Sequence, residues 1–227
     1  TLGRWALAAG TALTILPLGF IVQRDVHGLA LVIRAANLGG VSRRLADVDA
    51  VRVRESVVLV SLKDASIRAR VYAPYGTPRH TVLLVSGLHP AGIDEPRLLE
   101  LSRRLAEANV TVVTPEIPEL SRFEITPLLT DRIEGTATWL ATESGLVPSG
   151  RIGLMGISFS GGLAVVAAGR PSLRDHLLYV FSLGGHDDLR AGHLHLAGGQ
   201  ALDDAIHGKL ATAASTTDKL ITTNVRF

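Results

Sequence analysis

The stretch RIGLMGISFSGG, residues 151–162, decides the fold. Its first half is a short apolar run, Ile152 to Ile157, of the kind a buried strand uses. Its second half, Ser160-Gly161-Gly162, opens an apolar helix, and the turn between them falls on Ser158. A serine on such a turn is lifted above the end of a sheet, where the next backbone N–H groups and the positive end of the helix point at one spot. That geometry suits a nucleophilic serine. The pattern Gly156-x-Ser158-x-Ser160-Gly161 departs by one residue from G-x-S-x-G. Small residues are needed because strand and helix nearly touch at the elbow, and serine is only slightly larger than glycine. Gly-rich strand-to-helix turns also begin phosphate loops and dinucleotide folds. Here no lysine follows the glycines and the G-x-G-x-x-G spacing is absent. A plain turn with incidental serines remains the competing reading of this stretch taken alone.

Working outward, strand-like and helix-like segments alternate on both sides. Upstream, Val51-Arg-Val-Arg and residues 56–62 (SVVLVSL) predict strand. A turn at Lys63-Asp64-Ala65 and a second strand over residues 66–72 complete an antiparallel hairpin with one solvated face. Residues 81–86 (TVLLVS) form a continuous apolar run, expected of a strand covered on both faces. The spacing of Leu98, Leu101, Leu105 and Ala108 predicts a helix over 95–109, with Pro96 in its first turn and Asp94 as cap. Residues 110–114 predict a strand and 116–122 a loop. A helix opens at Thr126-Pro127 with the face Leu129, Ile133, Thr136, Ala137 and Leu140. Downstream of the elbow, Leu163 to Ala168 is apolar nearly all round, hence buried; Pro171 stops it. Residues 177–183 (LLYVFSL) predict the next strand. The sum is an α/β domain with a mostly parallel sheet and helices on both faces.

Composition narrows the function classes. At 227 residues the chain can bury one sizeable core. Apolar residues make up 47%, which points to a membrane contribution. Net charge is only +2 and no stretch concentrates it, so nucleic acid is not an expected partner. The absence of cysteine excludes thiol chemistry and cysteine–zinc sites. Residues 5–22 run eighteen positions without a charge, between Arg4 and Arg24, and are interrupted by Pro17 and Gly19. This length is at the short end for a membrane span. The expectation is an uncleaved anchor helix over 1–26, with a buried core helix as the alternative; flanking charges do not set its orientation. Residues 27–50 form a connector with the short apolar patch Leu29, Leu31, Val32 and Ile33, residues 51–190 the α/β domain, and 191–227 an atypical tail.

In order along the chain, VLLVSGLHPAG, GLMGISFSGG and YVFSLGGHDD resemble the α/β-hydrolase superfamily, nearest its dienelactone-hydrolase and prolyl-oligopeptidase-like branches. The resemblance covers about residues 56–188. It implies a serine hydrolase acting on an ester, or a peptide or amide, through an acyl-serine intermediate, without cofactor or metal. Ser158 would be the nucleophile, and the backbone N–H groups of Leu88 and Phe159 the oxyanion hole. The family's order of nucleophile, acid, histidine makes His89 a loop histidine rather than the base. Asp187, or its neighbour Asp188, is the candidate acid; His186, His193, His195 and His207 are the downstream histidines. None of these histidines follows a convincing final strand. Only 69 residues follow Ser158, and each further strand–helix unit needs about 30. The expectation is therefore an altered or incomplete end, and a non-catalytic scaffold lacking a complete triad is the second reading. A metal cluster of His186, Asp187, His193 and His195 is the weaker alternative, since no regular spacing gathers them. The Asn109-Val-Thr111 sequon falls where a strand starts.

Overall fold

The computed structural model describes residues 50–185, together with Val32, Gly40, Arg44, Asp47 and Val48. Six strands form one sheet: β1 Val53–Ser61, β2 Ser66–Pro74, β3 His80–Val85, β4 Val110–Pro115, β5 Ile152–Ile157 and β6 Leu177–Leu183. The sheet order is β1-β2-β4-β3-β5-β6. β4, β3, β5 and β6 run parallel, and β2 pairs antiparallel with both β1 and β4. The expected hairpin is present, closed by the Leu62 N–H donating to the Ala65 carbonyl at 2.8 Å. Its outer strand β1 is exposed along most of its length, as an edge strand must be.

Helices α1 Pro96–Glu107, α2 Pro118–Ser121, α3 Leu128–Thr142 and α4 Phe159–Ala168 follow β3, β4 and β5. The larger core lies between the sheet and α3 and α4. Val71, Leu83, Val113 and Leu154 point from the strands into Leu129, Ile133, Leu140 and Leu163. The α3 face expected from helical spacing is the buried one throughout. On the other face α1 packs Leu98, Leu105 and Ala106 over Tyr72, Leu84 and Val112. Alternation along β2 makes this division: Ile67, Ala69 and Val71 go to the larger core, and Tyr72 to the smaller.

Three local expectations change. The cap of α1 is Glu95, whose carboxylate accepts the Leu98 N–H at 2.6 Å. Asp94 ends a 3₁₀ turn, Gly92–Asp94, and pairs with Arg70 instead. The segment 116–122 is not all loop, because Pro118 starts the short helix α2. Leu101, placed on the buried face of α1 by spacing, is only partly buried. The expected anchor helix, 1–26, lies outside the described residues; among those described, no helix is long and apolar enough to cross a membrane.

Ion pairs tie the helices down. Arg170, just past α4, holds Asp131 at 2.7 Å and also Glu134 on α3. Arg132 on α3 reaches Asp64 in the hairpin turn at 2.7 Å. By contrast, the Tyr72 hydroxyl is buried under α1 with no hydrogen-bond partner among the described residues. Burial disfavours its phenolate and pushes Tyr72 up to about 12 from an ordinary 10.0. The unfolded chain therefore loses this proton first, so stability present below pH 10 falls as the pH rises toward 12. Tyr72→Phe is expected to change stability at neutral pH by no more than about 1 kcal/mol, since no bond is lost. Urea midpoints measured from pH 9 upward should decline less steeply for the variant than for the parent chain.

Candidate active site

Ser158 joins β5 to α4 with φ 53° and ψ −130°, a backbone conformation that L-residues rarely adopt. Such a residue costs on the order of 1–3 kcal/mol and persists only where its surroundings enforce it. The enforcement is visible on each side. The Ser158 N–H donates to the Leu183 carbonyl at 2.8 Å, tying the elbow to the end of β6. Its carbonyl accepts the Gly161 N–H at 2.8 Å, closing the first turn of α4. The residue itself is exposed, while Phe159 and Ser160 beside it are buried.

The small residues around the elbow are required by contact rather than by flexibility. A Cβ on Gly156 would collide with the Ser160 carbonyl and lie 2.8 Å from the Gly161 Cα. A Cβ on Gly161 would meet the Ser182 hydroxyl and stand 2.9 Å from the Gly185 Cα. Strand β5, helix α4 and the end of β6 thus meet backbone to backbone. Ser160, which replaces the glycine of the usual pattern, fits without exposure, but its hydroxyl has no hydrogen-bond partner among the described residues.

The loop after β3 lies against the same turn. A Cβ on Gly87 would be 3.4 Å from both the Ser158 Cβ and the Ile157 carbonyl oxygen. Leu88 follows at once and packs on the larger core, which holds the loop down. Neither the Leu88 nor the Phe159 N–H donates to another described residue. Phe159 opens α4 directly after Ser158, and Leu88 follows the Gly87 contact in the loop. His89 is tied into its loop, its Nδ1 accepting the Ala91 N–H at 3.1 Å and its carbonyl the Gly92 N–H at 2.9 Å. A ring nitrogen used as an acceptor there is a structural use, in line with the loop role expected from chain order.

Two other described histidines stand away from the elbow. His80 opens β3 and His176 precedes β6, its Nδ1 2.9 Å from the Gly150 carbonyl oxygen. Both stand at the N-terminal ends of parallel strands, the opposite end from Ser158. Asp187, Asp188, His186, His193, His195 and His207 lie outside the described residues. A feature that sequence reasoning missed is an apolar groove of about 700 Å³ running from Ser86 and Gly87 along the sheet. Its walls include Leu101 from α1, Met155 and Ile157 from β5, and Phe181 and Leu183 from β6. The signal was available: Met155 and Ile157, like Phe181 and Leu183, are two apart and share one sheet face.

No model of a known protein family matches the sequence, and no curated protein does. Solved structures do match. Dienelactone hydrolase from Anabaena variabilis is similar at a TM-score of 0.53 and 20% identity, over 75% of this chain and 82% of that one. An esterase from Pyrobaculum calidifontis has a TM-score of 0.48 and 23% identity, over 71% of this chain and 51% of the esterase. The chain thus spans about half the length of that esterase. Together with the strand order and the elbow, the first likeness establishes that this chain has an α/β-hydrolase fold.

Two substitutions separate contact from polarity at the elbow. Gly156→Ala forces a Cβ onto backbone atoms and is expected to cost about 3 kcal/mol or more. Ser160→Ala deletes a buried unpaired hydroxyl and is expected to stabilise by about 1 kcal/mol. Urea denaturation of the two variants should move the midpoint in opposite directions.

Proposed function

We propose that this chain is a hydrolase that attacks a carbonyl through Ser158, cleaving a carboxylic ester in preference to a peptide or amide. The observation that carries the proposal is the backbone of Ser158. An exposed hydroxyl is held at φ 53° between β5 and α4, beside the Gly87 loop. The packing of the elbow enforces the backbone of residue 158 but does not require a solvent-facing hydroxyl there, whereas an attacking hydroxyl must be both presented and immobile. In the proposed reaction the Ser158 Oγ bonds to the acyl carbon as its proton passes to a base. The leaving alcohol takes up that proton, and water then releases the acid. The Leu88 and Phe159 N–H groups hold the oxyanion; losing one such donor typically costs about 2.7–4 kcal/mol. The base is assigned to a histidine downstream of β6, with Asp187 as its acid. Residues 5–22 are proposed to hold the enzyme on a membrane, on the strength of their uncharged run.

One observation favours a second reading, a non-catalytic member of the fold. Among the described residues, no histidine is hydrogen-bonded to Ser158. Without a base a serine hydroxyl is a poor nucleophile at neutral pH. A fluorophosphonate probe distinguishes the two. The enzyme reading expects labelling of the folded full-length chain that is lost in Ser158→Ala. It also expects ester turnover to fall by about a thousandfold or more in that variant. A folded chain that takes no label, or a label that survives Ser158→Ala, leaves the non-catalytic reading in place.

A further inference from the structure

The apolar groove along the sheet is graded from one end to the other. Helix α1 starts just after the loop that follows β3 and ends where Val110 opens β4. It therefore runs back down the strands from their C-terminal edge. Among the described residues, every polar side chain on the groove wall stands at that edge: Ser86, His89, Glu95 and Arg97. Further down, Leu98, Leu101 and Leu105 of α1 share the wall with Met155 and Phe181 of the strands. From Leu98 to Leu105 this apolar wall extends about 10 Å along the helix.

The polar end is also the Ser158 end. Gly87, Leu88, Ile157 and Leu183 line the groove there. Ile157 directly precedes Ser158, and the Leu183 carbonyl accepts the Ser158 N–H at 2.8 Å. A Cβ on Gly87 would stand 3.4 Å from the Ser158 Cβ. The segments that fix the backbone of Ser158 thus form the entrance to the groove. A face awaiting another protein segment has no need of this gradient. It is polar where the reacting atoms of an ester would sit and apolar beyond them. The volume, about 700 Å³, falls within the roughly 300–1,000 Å³ usual for small-molecule sites.

We infer that the groove holds an apolar chain of the ester that Ser158 attacks, lying between α1 and the strands with the ester group at the Gly87 end. The inference rests on the proposed serine reaction and names its substrate class, esters carrying a medium-length apolar chain. Removal of the chain from water draws it in, by up to about fourfold in binding per methylene. Leu101 is a specificity-determining residue in this arrangement. It stands midway along the apolar wall and is only partly buried by the rest of the fold, which leaves part of its side chain to meet the substrate.

The test assays the whole chain against p-nitrophenyl acetate, butyrate and octanoate, and against the acetates of ethanol, butanol and octanol. In one series kcat/KM should rise about a hundredfold or more from the shortest member to the octyl member. A rise in the first series assigns the groove to the acid, and a rise in the second to the alcohol. Leu101→Trp narrows the groove, and Leu101→Gln makes it polar with a residue that helices accept. Each should lower the octyl preference by about tenfold or more, and one folded variant suffices. A chain that takes a fluorophosphonate label on Ser158, yet turns over short and octyl esters within about threefold of each other, overturns the groove and leaves the serine reaction standing. An octyl preference that the Leu101 variants do not shift does the same. A chain with neither label nor ester turnover overturns the serine reaction, and this inference with it.

Discussion

The contact between the backbone of β5 and the first turn of α4 is the constraint on which the rest depends. Gly156 lets the Ser160 carbonyl lie directly on the strand, and Gly161 lets the helix press against the end of β6 at Gly185. With both contacts made, the chain must reverse direction within one residue. That residue is Ser158, and its φ of 53° is the consequence. The hydrogen bond from Ser158 to Leu183 then couples the turn to the neighbouring strand. Three backbone segments thus fix the direction of the Ser158 Cα–Cβ bond, leaving its χ1 rotamer to place the hydroxyl.

The same packing explains how the domain supports the elbow. Helix α4 is short and apolar nearly all round because it is enclosed by the sheet on one side and α3 on the other. Arg170 secures its far end to Asp131 and Glu134, and Arg132 secures α3 to the hairpin. The elbow face of the sheet is covered by α3 and α4. Among the described residues the α1 face is covered only in part, and the exposed side of β6 and the groove beside Leu101 are the two signs of it. Leu101 was legible as apolar at helical spacing. Its half-buried state was not, because burial depends on what lies opposite the helix and not on its own periodicity.

How much was legible in the residues follows from how local each signal is. Ile133 and Leu140 on one stripe, the alternation of Ile67, Ala69 and Val71, and Pro96 in the first turn of α1 all report on nearest neighbours along the chain, and all were readable. The cap of α1 was misplaced by one residue, from Glu95 to Asp94, because both carboxylates suit the position. Only the engagement of Asp94 by Arg70, from a distant strand, separates them. At the site, Ser158, Leu88 and Phe159 were nominated from sequence pattern and family order. The closeness of Gly87 to Ser158 could not be read directly, since 70 residues separate them.

By itself, then, the sequence determined the alternation of strands and helices, the faces they bury, and the position of the elbow, because each is set by spacing within a few residues. The tertiary structure alone decided which strands are neighbours, that β4 lies between β2 and β3, and that the Gly87 loop comes to rest against Ser158. It also decided which apolar side chains stay partly open. Strand order and residual exposure are properties of contacts between distant segments, where the energy of packing is shared by partners that no local pattern names.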